Sequence, residues 1–118
     1  MEAFDILGDP VRRRILELLA PGELAAGDVA GEIQAEFGLT QPAVSRHLRV
    51  LRESGFASVR PVGTRRLYAL DAAGLEDAEG WLADLRAQWS RRLDGLGTEL
   101  ARGRRRNLNA SNQEDHPA

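Results

Sequence analysis

TQPAVSRHLRVLRESGF, residues 40–56, carries a helix start signal at one end and a stop signal at the other. Thr40 is a good N-cap, because its hydroxyl can accept from an orphan amide of the first helical turn. Pro42 is tolerated early in a helix, where a missing amide has no intrahelical partner to lose. Gly55 can enter the left-handed conformation that follows a last turn. Between them, Val44, Leu48 and Leu51 follow i, i+4, i+7 and form one apolar stripe. At roughly 100° per residue the opposite side carries Pro42, Arg46, Arg49 and Glu53, flanked by Ser45 and Arg52, with Gln41 at its start. Such a face is either a solvated helix surface or a recognition surface for a DNA groove. Arg pairs two ways with guanine, Gln with adenine, and Ser donates or accepts. The segments on either side discriminate.

Upstream, Leu24 to about Ala35 reads as a helix anchored by Leu24, Val29 and Ile33, weakened by Gly27 and Gly31. Phe37-Gly38-Leu39 is the turn into the next helix, and two helices joined by a short Gly-containing turn make a helix-turn-helix. Downstream of Gly55 the period changes from 3.6 to 2. Residues 56–60 alternate, Pro61-Val62-Gly63-Thr64 turns, and Arg65 to Leu70 returns, which predicts a β-hairpin with Arg60, Arg65 and Arg66 clustered toward its tip. A basic hairpin directly after a helix-turn-helix is a winged helix, and the combination favours the recognition surface over the solvated one.

Charge is distributed to match. The whole chain has net charge −2, yet residues 1–39 hold three Arg against eight acids, a net of −5. Residues 40–66 hold six Arg against one acid, a net of +5, and residues 67–118 hold seven Arg against nine acids, a net of −2. Distribution, more than the sum, governs attraction to nucleic acid. Every Lys/Arg position is Arg, the better fork-like donor, although a GC-rich coding bias explains that equally well.

The ends complete the plan. Ala3 to Gly8 reads as a short first helix with Phe4 and Leu7 facing inward. Asp9-Pro10 caps a second helix, Val11 to Leu19, that buries Val11, Ile15, Leu18 and Leu19 and leaves Arg12, Arg13 and Arg14 as a solvated cluster. Asp71 caps a last helix running to about Ala101. Leu75, Ala78, Leu82, Leu85, Trp89, Leu93, Leu96 and Leu100 recur there every three or four residues, with Trp81 beside them. Too little chain remains to bury so long a seam, so a second copy is the expected partner. Residues 1–103 thus form one domain that is mainly α with a small β-hairpin, five helices in all. Residues 104–118, polar and rich in Asn and charge, read as a disordered tail.

Several classes of function are excluded or unsupported. Zero Cys removes disulfides, thiolate metal sites and thiol nucleophiles. His47, beside the apolar stripe, and the distant His116 make no metal site. No phosphate loop, G-x-S-x-G elbow or H-E-x-x-H pair is present, so no catalytic residue and no cofactor is expected. No apolar run approaches the roughly 18 residues of a membrane span, and the N-terminus carries no secretory signal. A cytoplasmic protein is the expectation.

The runs LGDPVRRRILELL (7–19), ELAAGDVAGEI (23–33), GLTQPAVSRHLRVLRESGFASV (38–59) and GTRRLYALD (63–71) resemble the ArsR/SmtB family of bacterial winged-helix repressors. The resemblance implies a homodimeric regulator of double-stranded DNA. Its dimer surface would come from the first and last helices, here Phe4 and Leu7 together with Leu82, Leu85, Trp89, Leu93 and Leu96. It also implies base reading from positions that match Gln41, Pro42, Ser45 and Arg46, with Pro42 standing where Ser is more usual. Thr40, Arg49, Arg60, Arg65 and Arg66 are then the candidates for backbone and wing contacts. Arsenic-sensing members carry Cys-x-Cys in the third helix, where this chain has Ala25 and Gly27; zinc and nickel sensors use His on the last helix, which here has none. The chain resembles the branch without metal ligands, and the sequence names no small-molecule effector. The rival is a winged helix kept as a protein-interaction module.

Overall fold

The computed structural model describes residues 2–111, with side chains through residue 98. The described elements are α1 (Glu2–Leu7), α2 (Pro10–Leu19), β1 (Leu24–Ala25), α3 (Ala26–Phe37), α4 (Gln41–Glu53), β2 (Ala57–Val62), β3 (Arg65–Leu70) and α5 (Ala72–Ser111). Two compact units result, Met1–Gly80 and Trp81–Ala118, with α5 contributing to both.

In the first unit α2, α4 and the start of α5 each begin where a side chain accepts from an orphan amide, whereas α3 follows Ala25 without a side-chain cap. The Asp9 carboxylate accepts from the amides of Val11 (2.7 Å) and Arg12 (3.3 Å), and Pro10 supplies the first residue of α2. Burial works to raise the Asp9 carboxyl, but those two amide bonds, with the charges of His47 and Arg12, outweigh it and hold the group below its ordinary range. The Thr40 hydroxyl accepts from Ala43 N at 3.3 Å, as its sequence position predicts. Gly38 (φ 69°) closes α3 in the left-handed conformation and donates to Gln34 O.

The apolar faces meet in one core. Ile15, Val29, Ile33, Val44, Leu51 and Phe56 are fully buried, and Ala3, Ile6, Leu16, Leu19, Leu48 and Tyr68 close around them. The three-stranded sheet has order β1-β3-β2, antiparallel throughout. Gly55 donates to Arg52 O and accepts from Gly74 N, which ties the end of α4 to the start of α5. A Cβ at Gly74 would lie 2.6–2.8 Å from three ring atoms of Phe56, so only hydrogen lets this turn of α5 close over the ring.

Several sequence expectations change. Leu24 and Ala25 form β1, paired with Tyr68 and Leu67, and α3 begins only at Ala26. A two-residue strand is too short to show a period. Pro61 and Val62 belong to β2, so the hairpin loop is Gly63-Thr64 alone, with Gly63 at φ 63° as tight hairpins ask of their first loop residue. In α1 it is Ala3 and Ile6 that are buried, while Phe4 and Leu7 are half-buried at the edge of the core. In α2 Leu16 is buried and Leu18 only partly so. None of the three arginines at 12–14 is simply solvated: Arg14 reaches across to α3, its Nε donating to Glu36 Oε1 at 2.9 Å. Arg12 donates to the carbonyls of Ile6 (2.9 Å) and Asp5 (3.1 Å), and Arg13 to that of Leu7 (2.6 Å), closing the C-terminal end of α1.

In the second unit α5 is helical through Ser111, so the stretch from residue 104 read as disordered is helical that far; residues 112–118 lie outside the described residues. Leu82, Leu85, Trp89, Leu93 and Leu96 are 46–57% exposed. The side chain of Leu100, counted in the same seam, lies outside the described residues. No helix among the described residues is long and apolar enough to cross a membrane.

Candidate nucleic-acid interface

The burial of Val44, Leu48 and Leu51 fixes the rotation of α4 and leaves Gln41, Pro42, Ser45, Arg46, Arg49 and Arg52 exposed. The N-terminal end of α4 has its donors already assigned. Thr40 caps Ala43 N, Pro42 has no amide, and the Gln34 amide oxygen, oriented toward Gln41 N, accepts from it at 3.2 Å. Ligand contacts from this helix therefore fall to side chains. Thr40 is exposed, but its hydroxyl is engaged in the cap.

The hairpin register then sorts the wing arginines. Directly opposed residues of an antiparallel pair share a face, and successive residues alternate. Arg60 opposes Leu67, Arg65 opposes Val62, and Arg66 opposes Pro61. Arg66 thus shares a face with Tyr68, while Arg60 and Arg65 are on the other. The tip cluster expected from sequence is divided by the pleat.

On the Arg66 face, α4 and β3 enclose an open cleft of about 410 Å³. Pro42, Ser45, Arg46, Arg49 and Arg52 line it from α4, Arg66 and Tyr68 from β3, and no carboxylate lines it. Arg49 lies 3.9 Å from Glu53 on its own helix, both well exposed, a pair of negligible strength. Arg46, Arg52 and Arg66 have no acidic partner among the described residues. Arg52 is the residue that the helical wheel undervalued. It sits on the flank of the polar face, and only the returning strand brings it into the cleft, where with Arg66 it also lines a smaller neighbouring hollow.

The opposite face is paired. Arg60 donates Nε to Glu23 Oε2 at 2.6 Å and Nη2 to Glu23 Oε1 at 2.9 Å, a two-pronged bridge. The side-chain hydrogen bond, before the charge attraction, lowers the Glu23 carboxyl and raises the Arg60 guanidinium. Arg65 lies 3.7 Å from Asp28. His47 is half-buried beside the stripe, without a hydrogen bond to any described residue. Among the described residues no three His, Cys, Asp or Glu side chains gather as a metal ion would require; Ala25 is buried on β1, not in α3, and Gly27 is exposed in the first turn of α3.

A helix-turn-helix with a hairpin folded beside its second helix defines the winged helix-turn-helix class of regulators. Residues 9–59 match the family described as bacterial regulatory protein, arsR family. The HTH-type transcriptional regulator Rv2034 of Mycobacterium tuberculosis is 42% identical over 79% of this chain and 80% of its own length. The transcriptional repressor SdpR of Bacillus subtilis is 34% identical over 67% of this chain and 83% of its own. The solved homodimeric winged helix-turn-helix DNA-binding domain of Mb0332 from Mycobacterium bovis, a possible ArsR-family regulator, is 26% identical and superposes with a TM-score of 0.53 over 80% of this chain and 81% of that one. The chain belongs to the arsR family of bacterial regulatory proteins and is a transcriptional regulator, not an enzyme.

Proposed function

We propose that the protein is a homodimeric repressor acting on a palindromic operator in the cytoplasm, and that its release signal is something other than a metal ion. The observation that carries this is the arginine-lined, carboxylate-free cleft between α4 and β3. Gln41, Pro42, Ser45 and Arg46 are assigned to base edges, and Arg49, Arg52 and Arg66 to phosphates. Thr40 acts through the cap of α4. The half-exposed seam of Leu82, Leu85, Trp89, Leu93 and Leu96 is assigned to the partner copy, with Phe4 and Leu7 of α1 as its candidate extension. The relatives named as a repressor and as a homodimeric DNA-binding domain support this reading. Twofold symmetry would separate the half-sites by about 34–36 Å, one turn of DNA. Ala25 and Gly27 at the thiol positions, and a last helix without His, argue against the family's metal sites.

A gel shift with the protein's own promoter region at low salt tests the reading; no shift would favour a protein-interaction module. Arg46→Ala should cost about 1–3 kcal/mol and relax base preference. Arg66→Ala should weaken binding to operator and random DNA alike and flatten the salt dependence. Equal losses on both DNAs for both variants would contradict the division of roles.

A further inference from the structure

The wing presents two unlike faces. Arg66, on the cleft side, has no acidic partner among the described residues, whereas Arg60 and Arg65, across the pleat, each have one. The partners come from the segment that leads into the helix-turn-helix: Glu23 immediately before β1, and Asp28 in the first turn of α3. Resting on the DNA-binding reading above, we propose that Glu23, assisted by Asp28, is an intramolecular competitor for the DNA backbone that withholds Arg60 and Arg65 from phosphate and so limits sequence-independent binding.

The argument is one of geometry and ion exchange. The Glu23 carboxylate occupies both prongs of the Arg60 fork, the arrangement a phosphate would need. The pair is solvent-exposed, so it can be broken, but breaking it bares a carboxylate close to the strand that approaches the duplex. A guanidinium held by Glu23 neutralises no phosphate and so releases no counterion from the DNA. Freed of Glu23, Arg60 would add one such contact and with it that contact's share of the salt dependence. Base reading by Arg46 has no such opposition, since Arg46 has no carboxylate beside it among the described residues.

The test needs no knowledge of the operator. Wild type, Glu23→Gln, Arg60→Ala and the double variant are titrated by fluorescence anisotropy against a labelled random-sequence duplex over a series of salt concentrations. Gln keeps the shape of Glu and loses its charge. Glu23→Gln should bind about two- to fivefold more tightly, with a salt slope steeper by about 0.9. Arg60→Ala should remove that gain, so that the double variant matches Arg60→Ala alone. Asp28→Asn should produce a smaller gain, because its contact with Arg65 is longer and single. Unchanged or weaker binding by Glu23→Gln, when wild type binds, overturns this proposal and leaves the DNA reading intact. A gain that survives in the double variant also overturns it, since the effect would then come from general charge and not from Arg60. Failure of wild type to bind the duplex even at low salt brings down the DNA reading and this proposal together.

Discussion

Apolar residues recur at the same three- and four-residue spacing in α4 and in the part of α5 beyond residue 80, with opposite outcomes. In α4, Val44, Leu48 and Leu51 are 0–3% exposed. In α5, Leu82, Leu85, Trp89, Leu93 and Leu96 remain 46–57% exposed. Helical periodicity states that a face needs cover but not where the cover comes from. For α4 it comes from the same chain, from α2, α3 and Phe56. For α5 a second copy is the proposed source, because an apolar stripe of this length left in water is a site for association.

The same substitution in the two regions gives the largest and most direct break of this comparison. Leu51→Ala should destabilise the protein by about 2–5 kcal/mol at every protein concentration, measured by urea unfolding. Leu85→Ala should leave the winged-helix core intact and raise the dimer dissociation constant, seen as a melting temperature that depends on concentration and as a lighter species in light scattering. Equal, concentration-independent losses for both leucines would mean that α5 is covered within its own chain.

The junction of α5 with the core sharpens the contrast next. Gly74→Ala introduces a carbon into the Phe56 ring and should cost about 1–3 kcal/mol despite the better helix propensity of Ala, measured by thermal unfolding. A neutral result would show that the Phe56 ring can yield.

Asp9 tests the caps of the first unit. Asp9→Ala should lose about 1 kcal/mol at neutral pH. The folded carboxyl lies below its unfolded value, so its contribution is present above the unfolded pKa and disappears as pH falls through the folded one. The gap between wild type and variant should therefore close in acid; a gap that persists there would assign the effect to packing.

The smallest effect is a gain. Gly31 in α3 is exposed, and a Cβ there meets nothing within 4 Å, so Gly31→Ala should stabilise by up to about 1 kcal/mol in denaturant titrations. A loss would place an undetected contact on that face.

Some of the site was legible at once and some was not. Arg46 and Ser45 could be placed on the exposed side of α4 from spacing alone, because a helix repeats every 3.6 residues and its buried stripe sets the rotation. Arg52 could not be promoted from the flank to the cleft, nor Arg60 and Arg66 separated. Both depend on a strand returning beside α4 and on the pairing of Arg66 with Pro61. β1 escaped notice because two residues have no period, and their partners Leu67 and Tyr68 are distant in sequence.

By itself, then, the amino-acid order determined what neighbours along the chain enforce: the Thr40 and Asp9 caps, the turn glycines 38 and 55, the hairpin after Gly55, the apolar stripes and the basic middle segment. Tertiary structure alone decided what depends on segments meeting in space: the bridge from Glu23 to Arg60, the closure of α1 by Arg12 and Arg13, the fit of Gly74 on Phe56 and the face on which each wing arginine stands. The reason is physical. Caps and periods arise from covalent neighbours within about a turn, whereas ion pairs, strand register and close packing are set by which distant residues the folded core brings within reach.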